Sequence, residues 1–143
     1  DDFNLYYDYV GNPNPANPVD RIYFGMQLID ASLARVTDGA GGFASGFALM
    51  QPTPGTSNNS SPIIPSITST NLWINEWLTD GSPDWFEIFN QETDIVCLSG
   101  ISFHDDTVPI PAPRQLPQFS FIPARGFFKF IADNFGIKDS HQS

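Results

Sequence analysis

The chain has 143 residues, 41% of them hydrophobic, with 13 Phe, 4 Tyr and 3 Trp, so it holds far too much apolar material for a disordered tail and enough chain for one core. Six Lys+Arg against 16 Asp+Glu leave a net charge of −10, which repels a phosphate backbone and excludes nucleic acid as a partner. Apolar runs such as FFKFIA fall far short of the roughly 20 residues that span a bilayer, and the single cysteine, Cys97, leaves packing rather than a disulfide to hold the fold.

Thirteen Pro and eleven Gly break every helical window, and what remains are short runs with strand chemistry. In chain order strands are predicted over 3–10, 19–24, 32–36, 46–50, 72–78, 84–90, 95–103, 118–122 and 126–132. The breaks carry turn residues: NPNPANP at 12–18, TDGAGG at 37–42, DGSPD at 80–84 and PIPAP at 109–113. Residues 51–70 (QPTPGTSNNSSPIIPSITST) turn sharply to Pro, Ser, Thr and Asn, the composition of an extended connector. The class is all-β, a sandwich or barrel. A core is expected from Leu5, Ile22, Phe24, Ile74, Phe86, Ile88, Leu98, Phe119, Phe121, Phe128 and Phe130.

Motifs in the second half carry a resemblance. Ile74-Asn75-Glu76 is followed by Asp84-Trp85-Phe86-Glu87-Ile88-Phe89-Asn90, then Leu98-Ser99-Gly100, Ile122-Pro123-Ala124-Arg125-Gly126 and Ala132-Asp133. In that order and spacing they resemble the opening two thirds of a lamin-tail domain of the bacterial type, with Ile101 in place of the usual aromatic and Arg125 where Gly is common. The features with which such domains close, VDRIYFG, IDASLAR, TDGAGGF and PTPGTSN, stand in residues 1–60, ahead of the opening motifs. The resemblance implies an immunoglobulin-like β-sandwich in permuted or strand-exchanged order. Residues 1–60 form the closing half, 51–70 the connector and 71–143 the opening half. A circular permutation, a cut across tandem domains and half-domains completed between neighbouring copies all fit that order.

Strict alternation over 72–78 places Trp73 and Trp77 on one face, and Trp85 and Phe89 share a face of their strand. With Tyr6 and Tyr23 these are the candidate interface residues: packing against an adjoining half-domain is the plainer reading, a stacking surface for a glycan the sharper one. Loop aspartates Asp105, Asp106 and Asp133 are the weak candidates for Ca²⁺, but no spacing matches a calcium loop, and no cofactor is expected. GAGGFA at 39–44 fits a nucleotide fingerprint formally yet lacks a βαβ setting, and GFASG at 42–46 places Ser45 wrongly for a nucleophile elbow. Two His and one Cys are too few for a zinc site. Asn58 and Asn59 each open an Asn-x-Ser sequon, relevant only on a glycosylating secretory route. The chain begins at Asp1 without Met, as a mature or excised piece does.

The expectation is a non-enzymatic extracellular or cell-surface structural module, a homo-oligomer or polymer such as a filament or surface-layer subunit joined by exchanged half-domains. A carbohydrate- or surface-binding accessory module using exposed Trp residues is the alternative.

Overall fold

The structure is a computed structural model and describes residues 20–40, 46–58, 61–66, 71–79, 83–103 and 115–131, together with the backbone of 2–5. Among the described residues nine strands run in chain order: β1 (Asp2–Leu5), β2 (Asp20–Tyr23), β3 (Ser32–Arg35), β4 (Phe47–Met50), β5 (Leu72–Leu78), β6 (Trp85–Asn90), β7 (Val96–Cys97), β8 (Phe121–Ile122) and β9 (Phe127–Ile131). Each falls within or beside a run predicted from alternation and turn residues, and no helix occurs among the described residues. All strand pairings are antiparallel: β1 with β2, β3 with β4, β7 with β8, and a three-stranded sheet in the order β5-β6-β9.

Several strands are shorter than the sequence suggests. Within the run 95–103 only Val96 and Cys97 form a strand, β7, because Leu98-Ser99-Gly100 turns the chain, and Ser102 makes an isolated antiparallel bridge to Gln115. Gly100 sits at φ 79°, and the Ile101 N–H closes the turn on the Leu98 carbonyl at 3.1 Å. Phe119, at φ 55°, likewise keeps 118–120 out of β8.

β6 shows why the centre of the molecule holds. Its burial alternates residue by residue, with Phe86, Ile88 and Asn90 buried and Trp85, Glu87 and Phe89 half-buried on the other face. Phe86, Ile88, Val96, Leu98, Leu116, Ile122 and Phe130 form one buried cluster, and Met26, Leu72, Ile101, Phe103 and Phe128 pack against it. Phe86 stacks on Phe130 with ring centres 5.2 Å apart and meets the Phe103 ring edge-on at 4.8 Å. Truncating a phenylalanine placed this way costs about 3–5 kcal/mol.

Against the expected core, Phe86, Ile88, Leu98, Phe121 and Phe130 are buried, while Ile22, Phe24, Phe119 and Phe128 are only partly so. Ile74 is a correction: it is 61% exposed, because among the described residues β5 is the edge of its sheet. The Leu5 side chain lies outside the described residues. Leu49, Met50, Val96, Leu116 and Ile122 are buried without having been expected.

Gly25, Met26 and Gln27 join the second half through hydrogen bonds to its backbone. The Gly25 N–H donates to the Gln118 carbonyl at 3.1 Å, the Phe121 N–H to the Met26 carbonyl at 2.9 Å, and the Gln27 side-chain amide to the Phe119 carbonyl at 2.6 Å. The connector is tied down as well. The Ile63 N–H bonds to the Leu49 carbonyl at 2.7 Å, and Ser66 bridges β7 in parallel, its N–H on the Ile95 carbonyl and its carbonyl accepting from Cys97, each at 2.8 Å.

Candidate interaction surface

The candidate interface residues that are described gather on the β5-β6-β9 sheet, with the exception of Tyr23. Pairing runs Trp73 opposite Phe89 and Ile74 opposite Ile88, then skips a residue, so that Glu76 meets Glu87, Trp77 meets Phe86 and Leu78 meets Trp85. Asn75 is the extra residue of a β-bulge. Because directly opposed residues share a face, the bulge overturns simple alternation. Trp73 lies on the Trp85/Glu87/Phe89 face, whereas Trp77 lies on the core face with its ring 6.1 Å from that of Phe86. The two tryptophans are therefore on opposite faces of the sheet.

The face away from the core has three rows. Trp73, Phe89 and Phe127 stand side by side across the strands, Phe89 and Phe127 stacked with ring centres 4.6 Å apart. Next come Glu76, Glu87 and Lys129, with Asn75 donating its amide to Glu87 Oε1 at 2.9 Å. Leu78, Trp85 and Ile131 complete the face, and Lys129 Nζ lies 5.5 Å from the Trp85 ring centre. The Trp73 indole N–H is held by Gln91 Oε1 at 2.9 Å. Phe127, 53% exposed, was not among the expected interface residues; its signal was the alternation of FFKFI, which puts Phe127 and Lys129 on one side.

On both faces β5 is poorly covered. Trp73 is 54% exposed, Ile74 61%, Trp77 48% and Leu78 41%, and among the described residues no strand pairs with the edge of β5 that faces away from β6. Tyr23 lies elsewhere, exposed at the end of β2 with the Arg21 guanidinium 5.3 Å from its ring centre. Tyr6, Asp105, Asp106 and Asp133 lie outside the described residues, and among those described no three His, Cys, Asp or Glu side chains gather as metal ligands would.

A second constellation sits at the end of the β3–β4 hairpin. Arg35 reaches both carboxylate oxygens of Asp20 at 2.8 and 2.9 Å, donates to the Ala40 carbonyl at 2.7 Å, and lies 4.4 Å from the Phe47 ring centre. The Arg35 carbonyl accepts from the Asn58 amide at 3.1 Å; Asn58 N–H donates to Asp38 at 2.9 Å, and Thr53 Oγ1 lies 3.0 Å from Asn58 Oδ1. The bond from Arg35 lowers the Asp20 pKa below its ordinary value against the opposing effect of burial, and bonds from the Asn58 N–H and the Ser57 side chain lower that of Asp38. Asp20, Arg35, Asp38, Phe47, Thr53 and Asn58 line an open cleft of about 560 Å³. Nη1 and Nη2 of Arg35 both donate to protein acceptors, so the arrangement ties IDASLAR to VDRIYFG, TDG and PTPGTSN.

Compared with family models, with curated proteins and with solved structures, the chain matches none.

Proposed function

We propose that the chain is an immunoglobulin-like sandwich of the lamin-tail type, in which residues 1–60 supply the closing strands for opening strands in 71–143. Its role is that of a non-enzymatic extracellular structural module that assembles with its own copies. The observation that carries this reading is the seam at Gly25, Met26 and Gln27 against Gln118, Phe119 and Phe121, where two backbone bonds and the Gln27 side-chain amide join the two halves and Met26 packs on the core cluster. A half-domain held by such a strand-like contact makes the same bonds to a neighbour as to its own chain. The tie between Arg35, Asp38, Thr53 and Asn58 supports the resemblance, since it gives three of the four closing motifs one shared structural purpose. Size-exclusion chromatography with negative-stain microscopy tests the assembly: oligomers or filaments that grow with concentration are expected, and a discrete monomer at every concentration contradicts it.

The row Trp73, Phe89 and Phe127, bordered by Gln91, Asn75 and Glu87, favours a second reading as a glycan-binding surface. Stacking rings beside planar amide and carboxylate groups suit the apolar and hydroxyl faces of a neutral sugar. Glycan-array binding lost in Phe127→Ala without loss of folding is the expected result there, and no binding to any array sugar removes the reading.

A further inference from the structure

Among the described residues strand β5, seven residues long, is an edge strand with large apolar side chains exposed on both of its faces, Trp73 and Leu78 on one and Ile74 and Trp77 on the other. A ligand or protein surface laid on one face leaves the other wet. A strand added along the open edge covers both, because its own side chains alternate between the faces while its backbone takes up the edge N–H and C=O groups. The exposed surface of these four side chains comes to roughly 400 Å². That is close to the apolar share of a standard interface, which buries about 800 Å² per partner with somewhat over half of it apolar.

We propose that the occupant is a second copy of this chain, joined β5 to β5 in antiparallel fashion about a two-fold axis at the bulge, so that two three-stranded sheets become one of six strands. The inference rests on the assembly reading and names its surface. An antiparallel two-fold pair sets the first half of each strand against the second half of the other. In a regular strand centred on Asn75, that pairing places Ile74 against Glu76, burying a carboxylate beside an aliphatic chain. The extra residue at Asn75 removes the conflict. Ile74 of one copy meets Trp77 of the other on the core face, Trp73 meets Leu78 on the opposite face, and Asn75 comes beside Glu76, an amide donor beside a carboxylate. The bulge thus makes the edge complementary to itself.

Sedimentation equilibrium of the full chain across the micromolar range, compared with Ile74→Lys, tests this, with circular dichroism and melting temperature confirming that the variant folds. The proposal expects the dimer to weaken at least about a hundredfold, since two lysines enter one interface. Asn75→Cys in a Cys97→Ser background, oxidised at low concentration, is the second measurement, and a disulfide-linked dimer that disappears when Ile74→Lys is added is expected. Assembly of unchanged strength in Ile74→Lys, with no cross-link through residue 75, overturns the β5 interface while leaving assembly by half-domain exchange intact. A folded monomer at all concentrations overturns both.

Discussion

Gly25 packs so closely on the buried Ser120 that a β-carbon at position 25 would collide with Ser120 Oγ and lie 3.0 Å from Ser120 Cβ. The contact explains why the chain needs glycine in the middle of the seam, where the Gly25 N–H reaches the Gln118 carbonyl. Gly25→Ala is expected to destabilise the fold by about 1–3 kcal/mol through overpacking. Ser120→Ala removes the nearest atom, and with it the bond from Ser120 Oγ to the Pro117 carbonyl, so the double variant should lose less than the two single variants together. Urea midpoints of the four proteins measure the coupling, and strict additivity would show that the two residues do not press on each other.

Asn90 is fully buried and holds three segments together. Its amide donates to the Asp94 and Pro123 carbonyls at 2.9 Å, and its Oδ1 accepts from the Glu92 N–H at 2.9 Å. Asn90→Asp keeps the shape but turns a donor pair into acceptors facing carbonyls, with an expected cost of about 2–4 kcal/mol at neutral pH. A carboxyl in that position has a folded-state pKa above its unfolded value. The variant therefore binds more protons when folded and recovers stability as pH falls from 7 toward 4, which chemical denaturation at the two pH values reads directly.

Arg125 occupies the left-handed region at φ 54°, in the turn where the Gly126 N–H returns to the Pro123 carbonyl at 3.1 Å. Glycine takes this conformation without the side-chain penalty, so Arg125→Gly is expected to raise stability by about 1 kcal/mol and the melting temperature by a few degrees. No gain would mean that the exposed Arg125 side chain makes up the difference through contacts of its own.

Asp20 and Asp38 both titrate below their ordinary values, for the hydrogen-bonding reasons given above. For a carboxylate whose folded pKa lies below its unfolded one, the stabilisation is complete above the unfolded value near 3.8 and is lost as pH falls through the folded one. Stability should be flat in this respect from neutral pH down to the carboxylate range and then fall. Asp20→Asn and Asp38→Asn should each flatten that acid limb in urea midpoints taken at descending pH.

Local chemistry made the strands legible: alternation in WFEIFN and FFKFI, and the turn-forming residues of TDG and DGSPD, mark them without any tertiary information. What the sequence hid was register and edge position. Nothing in LWINEWL announces that Asn75 will be left out of the pairing, so Trp73 and Trp77 read as neighbours on one face when they lie on two. Ile74 reads as core because its apolar character is visible and its place on an edge is not. Leu116 falls between the predicted strands 95–103 and 118–122, yet it is buried, its N–H on the Ile101 carbonyl at 2.7 Å. The bond between Asp20 and Arg35 joins residues on different sheets, and the tight approach of Gly25 to Ser120 spans most of the chain. The motifs IDASLAR and PTPGTSN were visible; their shared purpose needed the fold.

The unity of the two halves is tested most directly by differential scanning calorimetry of the intact chain beside Gly25→Val. One cooperative transition, with calorimetric and van't Hoff enthalpies equal and the whole peak moved down by the substitution, is the predicted result. Two separate transitions, only one of them moved by Gly25→Val, would contradict it.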